Sequence, residues 1–252
     1  MQAYDDSRYI NPHTIPFYAN TNESFLEGSV RGVVVELPGL GGGSCLGGLM
    51  ERQDYDTPFT RAFAKAGVVV AYMFPGPWSW GNMGETRMTD AVVDALMAKY
   101  ALPADAPIVV SGGSMGGIGA LNYARCSRHR VSAVAAACPC VDVLASFDCH
   151  PDFPRTYVSA VAGCDMMLED ALKAISPVEQ AAHMPRIPYF ICSDAEDELF
   201  PVAQCDQYVD MLRAHGHIVT YERQPGQPHG GFIPEVRQKL HDFMMDAAVR
   251  KA

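Results

Sequence analysis

The sequence is poor in basic residues, and this deficit limits the partners that the protein can have. Its 252 residues include 19 Lys and Arg against 29 Asp and Glu, which gives a formal net charge of −10. Nucleic-acid binding depends on Lys and Arg that neutralise phosphates, so we expect no nucleic-acid partner. No apolar run is long enough to span a bilayer, so we expect no membrane partner either.

The first residues also show no pattern of a secretory signal. Residues 1–17 lack the basic start and the apolar stretch of such a signal, which predicts a cytoplasmic protein. In that compartment the eight cysteines are expected to be free thiols. Cys138 and Cys140 are too closely spaced for the usual zinc pattern, and no second pair complements them, so we expect no metal and no cofactor. No interface pattern decides the oligomeric state, and a homodimer stays open.

Short apolar runs alternate with helical patterns along the chain. Apolar residues make up 48% and charged residues 19%, as in globular proteins, and the length fits one α/β domain over residues 1–252. Strand–helix–strand order with uninterrupted apolar strands predicts a mostly parallel sheet covered by helices on both faces. Predicted strands occupy residues 30–37, 67–74, 107–112, 131–137, 187–192 and 218–222. Predicted helices occupy residues 57–65, 84–100, 115–126, 202–214 and 233–249.

Residues 139–185 interrupt this alternation. They contain prolines, acids, aromatic residues and short helical pieces rather than another strand. We interpret them as a small cap insertion over an active site, within the same domain.

A G-x-S-x-G motif centred on Ser114 is the main chemical signal. The motif directly follows an apolar strand and directly precedes a helix, which is the setting of a nucleophile elbow. So tight a turn forces Ser114 into strained backbone angles and requires small residues at Gly112 and Gly116. The alternative is a glycine-rich turn that binds phosphate at a helix N-terminus. It lacks the Lys of a Walker loop and the G-x-G-x-x-G spacing, so Ser114 is the predicted nucleophile.

A serine hydroxyl needs a base to remove its proton. In folds that carry a nucleophile elbow, the acid and then the histidine follow the nucleophile along the chain. The loop after the fifth predicted strand holds Asp194, Glu196, Asp197 and Glu198. His229 stands in a Gly/Pro loop after the sixth strand, where the base is expected. The other histidines have no comparable position: His13, His129, His150, His183, His215, His217 and His241.

These motifs resemble the α/β-hydrolase superfamily, and most closely its dienelactone-hydrolase and prolyl-oligopeptidase-like branch. Members of that branch show an Asp four residues before a Pro, as in Asp197 to Pro201. They also show a His followed by a small residue and an aromatic one, as in His229 to Phe232. The resemblance covers about residues 30–250 and implies Asp197 as the acid, with Asp194 as the alternative. It implies that His229 acts as the base.

An oxyanion hole needs two donors aimed at the charge that develops in the tetrahedral intermediate. The N–H of Met115, directly after the nucleophile, is the first expected donor. The second should come from the loop after the first strand, where related proteins often carry His-Gly-x and this chain has Pro38-Gly39-Leu40. We expect the Leu40 N–H, with that of Gly41 as the alternative.

Aromatic residues near the predicted site suggest a substrate wall. Trp78 and Trp80 lie in one loop after the second strand, and either they line the site or they pack the loop against the sheet. The cap adds Phe147, Phe153 and Tyr157, so all five are candidate substrate-binding residues. Four acids in the cap make it too polar for a lipase lid and favour neutral or cationic ligands: Asp142, Asp148, Asp152 and Asp165.

These features predict a serine hydrolase that cleaves small polar or aromatic carboxylic esters through an acyl-enzyme. The expected partner is therefore a small-molecule ester. The first alternative is a prolyl-oligopeptidase-like peptidase or aminoacyl hydrolase. The second is a binding protein that keeps the fold without catalysis, since a fold does not fix a function.

Overall fold

A seven-stranded sheet organises the part of the chain that the computed structural model describes, residues 6–40 and 54–250. The strands are β1 (Ala19–Thr21), β2 (Gly32–Leu37), β3 (Val68–Met73), β4 (Ile108–Gly113), β5 (Ala133–Ala137), β6 (Pro188–Asp194) and β7 (Ile218–Gln224). Their spatial order is β1-β3-β2-β4-β5-β6-β7, and every neighbouring pair is parallel except β1 and β3. The predicted mostly parallel α/β-hydrolase sheet is confirmed.

Eight α-helices connect and cover these strands within the described residues. They are α1 (Pro58–Lys65), α2 (Met83–Lys99), α3 (Met115–Cys126), α4 (Phe153–Ala160), α5 (Leu168–Ile175), α6 (Pro177–Gln180), α7 (Val202–Ala214) and α8 (Pro234–Val249). Short 3-10 helices occupy Ile15–Phe17, Glu23–Phe25 and Ala181–His183. Helix α1 begins at a proline behind a Thr57 cap, whose hydroxyl accepts from the Thr60 N–H at 3.1 Å.

The core lies on both faces of the sheet. Helices α2, α3 and α7 pack Leu96, Leu121 and Leu212 on one face, while α1 and α8 pack Phe63 and Leu240 on the other. Central strands buried on both sides read as continuous apolar runs, which is why the sequence pattern located them. The edge strand β1 was missed, because three residues are too few to show a period.

Helices α4, α5 and α6 lie within residues 139–185, the segment that is predicted to form a cap and that we call the cap. The side-chain amide of Asn122 on α3 donates to the Ile175 carbonyl at 2.7 Å, and Arg125 on α3 donates to the Ala174 carbonyl at 2.9 Å. From the loop before α2, Asn82 donates to the Ala160 carbonyl at 2.8 Å. Carbonyls at the C-terminal ends of α4 and α5, which have no partner within their own helices, are therefore satisfied by side chains from α3 and from the loop before α2. These bonds fix the cap to the helices that cover the sheet.

Candidate active site

Ser114 sits between β4 and α3 with φ 57° and ψ −121°, angles that a non-glycine residue rarely adopts. The register of the sheet brings this turn to the carboxyl ends of the central strands, with Gly113 opposite Ala137 of β5. The Ser114 N–H donates to the Ala137 carbonyl at 3.0 Å, and the Gly117 N–H donates to the Ser114 carbonyl at 3.0 Å. Strand β5 and helix α3 thus both hold the turn by hydrogen bonds. The predicted strain at Ser114 is confirmed.

Close backbone contacts explain the two glycines that flank Ser114. A Cβ on Gly116 would lie 2.1 Å from the Leu37 carbonyl oxygen, and one on Gly112 would lie 2.3 Å from the Gly116 oxygen. Backbone atoms cannot yield to such contacts, so the predicted need for small residues at both positions is confirmed. Gly113 differs, since its Cβ would meet the Ala137 oxygen at 3.6 Å, an ordinary contact.

Gly116→Ala is therefore expected to destabilise the fold by about 3 kcal/mol or more, because it forces helix α3 away from β2. Gly113→Ala is the matched control, with an expected cost below about 1 kcal/mol. Urea unfolding followed by circular dichroism measures both. Equal unfolding midpoints for the two variants would contradict the close packing of this turn.

A continuous hydrogen-bond chain runs from Ser114 through His229 to Asp197. The His229 Nδ1 lies 2.7 Å from Asp197 Oδ2, and its Nε2 lies 2.9 Å from Ser114 Oγ. A carboxylate can only accept, so Nδ1–H donates to Asp197 and a neutral ring leaves Nε2 free to accept the Ser114 proton. The Asp197 side chain is 1% exposed and that of His229 is 14% exposed. The arrangement can remove a proton from Ser114 and stabilise the imidazolium that results.

Asp197 is held in place by its own loop. Its second carboxylate oxygen, Oδ1, accepts from the N–H groups of Leu199 and Phe200, both at 2.8 Å. The Phe200 ring then lies edge-on to the His229 ring, with centroids 5.2 Å apart and an interplanar angle of 76°. This short loop therefore orients both the carboxylate and the imidazole.

Asp194, the alternative acid, has a different place. It ends β6 and is 1% exposed, and it makes no hydrogen bond with the His229 ring. Its Oδ1 accepts from the Gln224 side chain at 2.7 Å and its Oδ2 from the Gly230 N–H at 2.9 Å. Gln224 in turn accepts from the Ile233 N–H at 2.8 Å. Asp194 and Gln224 thus fix the backbone of the loop that carries His229.

Burial raises the pKa of Asp194, an effect that the Gly230 N–H opposes and the nearby Asp197 charge reinforces. Sequence reasoning missed the loop-fixing role of this pair. A glutamine at the end of a strand carries no pattern, and its partner becomes visible only when β6 and β7 are aligned with Asp194 opposite Gln224.

One predicted oxyanion donor, Met115, directly follows Ser114, and the other, Leu40, follows a residue whose backbone lies beside Ser114. Met115 is the first residue of α3, so its N–H has no carbonyl partner within the helix. A Cβ on Gly39 would lie 3.9 Å from the Ser114 Cβ, which places the backbone just before Leu40 beside the nucleophile. The alternative donor, Gly41, lies outside the described residues.

The five predicted substrate-binding aromatics fall into two groups. Trp80, Phe153 and Tyr157 are 0%, 2% and 0% exposed and belong to the buried cluster between cap and core, so in this structure they have no surface for a ligand. The prediction of a substrate wall is corrected for these three residues. A cluster of aromatic residues in the sequence does not show whether they line a ligand site or pack in the core, and in this structure these three pack in the core.

Trp78 and Phe147 keep accessible surface. Trp78 is 36% exposed, and the Arg155 guanidinium of α4 lies 5.3 Å from its ring centroid. Phe147 is partly buried against the cap cluster.

The buried aromatics connect the cap to the His229 ring. Trp80 donates through Nε1 to the Thr156 hydroxyl at 3.1 Å and meets Phe153 edge-on with centroids 5.4 Å apart. Phe153 stacks on Phe200 at 5.6 Å and 10°, and Phe200 supports His229. The cap therefore contributes packing that limits the orientation of His229.

Glu85 on α2 anchors the loop that carries Trp80. It is 2% exposed, and its Oε2 accepts from the Gly81 N–H at 2.8 Å. Its other oxygen lies against α3, only 2.5 Å from where a Cβ on Gly119 would stand. Burial raises the pKa of Glu85 to about 7, although the Ser79 hydroxyl and the Gly81 N–H act in the opposite direction.

This raised pKa predicts a pH-dependent stability. The folded state binds the Glu85 proton more tightly than the unfolded state, in which the pKa of this carboxyl is 4.5. The stability that the bound proton contributes is therefore complete below about pH 4.5 and is lost as pH rises through about 7. Glu85→Gln keeps an acceptor for Gly81 and should be more stable than the parent by roughly 1–3 kcal/mol at pH 8.

Denaturant unfolding at pH 5 and pH 8 measures the difference, and Glu179→Gln on the exposed face of α6 is the control. A Glu85→Gln stability advantage that is the same at both pH values would show that Glu85 does not titrate in this range.

Two further observations concern predicted absences. The cysteines of the described residues carry free thiols, whereas Cys45 lies outside them. In the same part of the chain, no group of His, Cys, Asp and Glu could hold a metal ion, and no helix combines the length and apolar character needed to cross a membrane.

The fold and the Ser114–His229–Asp197 arrangement define the class of an α/β-hydrolase. Residues 78–251 match the prolyl oligopeptidase family, and the chain belongs to that family. It is thus a member of a serine hydrolase family, on the prolyl-oligopeptidase-like branch that the sequence motifs indicated. No curated protein sequence matches the chain.

Solved structures share the fold. A puromycin hydrolase is 20% identical with a TM-score of 0.67, over 87% of this chain and 34% of its own. The Pyrococcus horikoshii acylaminoacyl peptidase is 17% identical with a TM-score of 0.67, over 88% of this chain and 37% of its own. Esterase B from Lactobacillus Rhamnosis is 15% identical with a TM-score of 0.65, over 89% of this chain and 78% of its own. The chain thus spans about a third of the two former proteins.

Proposed function

We propose that the protein hydrolyses small carboxylic esters through an acyl-enzyme on Ser114. The observation that carries the proposal is the chain of hydrogen bonds from Ser114 Oγ to His229 and from His229 to Asp197, at 2.9 and 2.7 Å. In this mechanism His229 is the general base, and Asp197 holds its tautomer.

The reaction follows from these positions. As Ser114 Oγ attacks the ester carbonyl, its proton passes to His229 Nε2, and the negative charge that develops on the carbonyl oxygen is stabilised by the N–H groups of Met115 and Leu40. Collapse of the tetrahedral intermediate breaks the ester C–O bond, and the leaving alcohol takes the proton from His229. Water then attacks the acyl-enzyme with His229 as base, which releases the carboxylic acid and restores Ser114.

Two observations support a small ester as the substrate. Esterase B, one of the solved structures that share the fold, is an esterase by name. In addition, the accessible aromatic side chains Trp78 and Phe147 offer modest apolar surface beside an acidic cap. We infer small aromatic or polar esters as the substrate class.

The match to the prolyl oligopeptidase family supports peptide or aminoacyl hydrolysis as the second candidate activity. A panel of p-nitrophenyl esters and aminoacyl p-nitroanilides, assayed on the same enzyme preparation with Ser114→Ala as background, separates the two. We expect kcat/KM for the best ester to exceed that for the best anilide by at least about tenfold. Faster turnover of the anilides would reverse the assignment and would leave the catalytic residues unchanged.

A further inference from the structure

A cleft of about 480 Å³ lies at the amino ends of the central strands, whereas Ser114 lies at their carboxyl ends. Its walls include Pro107 before β4, Ser132 before β5 and Ile187 before β6, together with the C-terminal end of α8. The strands are parallel, so these amino ends are a strand length away from the carboxyl ends that carry the Ser114 turn. The cleft therefore belongs to a different surface from the candidate active site.

Three arginines line this cleft: Arg130, Arg186 and Arg250. All three are exposed, and they are the arginines in residues 6–40 and 54–250 whose side chains have no hydrogen bond, ion pair or aromatic contact. Every other described arginine has at least one such partner. In a chain of net charge −10, the unpaired guanidinium groups of the described residues thus all line one cleft.

The rest of the lining is mainly apolar. Phe243 and Ala247 of α8 line the cleft together with Ile187, and the Phe243 ring packs against Phe190 with centroids 5.6 Å apart. Asp105 is the acid that lines the cleft, so the charge of its lining is three positive to one negative. An apolar wall beside charged groups of one sign suits a ligand with an apolar body and an opposite charge.

We propose that this cleft binds a small organic anion, a carboxylate or phosphate monoester attached to an aromatic or branched apolar body. Guanidinium groups bind carboxylate and phosphate through paired, charge-assisted hydrogen bonds. An anion also relieves the mutual repulsion of the three cations, whereas a neutral ligand of the same shape does not. Binding here is independent of the proposed ester hydrolysis, because the two sites lie at opposite ends of the parallel strands.

Isothermal titration of the full chain in a phosphate-free buffer at low salt tests this proposal, with 1-naphthyl phosphate as the probe. The test variant is Arg130→Gln/Arg186→Gln, and the control is Arg61→Gln/Arg213→Gln, which makes the same charge change elsewhere. All four side chains are exposed, so neither variant removes core packing.

We expect saturable 1:1 binding to the parent and the control, at least tenfold weaker binding to the test variant, and no binding of neutral 1-naphthol. Absence of binding to the parent, or equal binding to the two double variants, would overturn the proposal. Ester hydrolysis by the test variant should match that of the parent, so failure of this site would leave the proposed function untouched.

Discussion

Ser114→Ala is expected to lower kcat for ester hydrolysis by roughly 10⁵-fold or more, because the nucleophile acts as a unit with its base. The residual rate would come from the oxyanion donors and from substrate binding alone. Stopped-flow or discontinuous assays of the best p-nitrophenyl ester measure the loss. Circular dichroism and the thermal midpoint show whether the variant keeps its fold.

His229→Ala provides the partner measurement. Since Ser114 and His229 share one proton-transfer step, the double variant should be scarcely slower than either single one. Losses that multiply in the double variant would show that the two side chains act separately, contrary to their 2.9 Å hydrogen bond.

Asp197→Asn is expected to lower kcat by about 10⁴-fold with little loss of stability. The N–H groups of Leu199 and Phe200 require an acceptor at the Oδ1 position, so the new amide nitrogen must face His229. It would then donate to Nδ1 and leave the proton on Nε2, where the ring can no longer accept from Ser114. Initial rates on the best p-nitrophenyl ester and the thermal midpoint of the same preparation measure the two expectations.

Asp194→Asn is the matched control for this substitution. Both of its oxygens accept from N–H donors, one on Gln224 and one on Gly230, so an amide nitrogen at either place meets a donor. We expect a lower thermal midpoint and a loss of kcat within about tenfold, since the group sets the His229 loop rather than the imidazole. An Asp194→Asn enzyme of normal stability and 10⁴-fold lower kcat would transfer the role of the acid to Asp194.

The sequence was sufficient for the fold where strands are buried on both sides. The apolar runs that became β2 to β6 stand out because no solvent-facing residue interrupts them, and the Ser114 turn was located by its neighbours on either side. Gly112 and Gly116 were predictable for the same reason, since a strand that turns directly into a helix leaves no space for a Cβ.

The features that the sequence could not predict depend on contacts between residues that are far apart in the chain. Trp80 and Trp78 lie in one loop, yet one is fully buried and the other is 36% exposed, a difference set by the position of the cap helix α4. Likewise, Asp194 and Asp197 share one acidic segment, and only the direction of the chain after β6 decides which faces His229. Glu85 and Gln224 act through backbone groups of other elements, which leave no mark on the local sequence.

Labelling with a fluorophosphonate, followed by peptide mass spectrometry, tests whether Ser114 is an activated nucleophile. A serine activated by a base forms a stable adduct with this probe, so we expect one modified residue, Ser114, and a loss of ester hydrolysis in proportion to labelling. His229→Ala should react at least a thousandfold more slowly. Folded protein that stays unlabelled at Ser114 and turns over no ester would show that Ser114 is not an activated nucleophile and would favour a binding protein on a hydrolase fold.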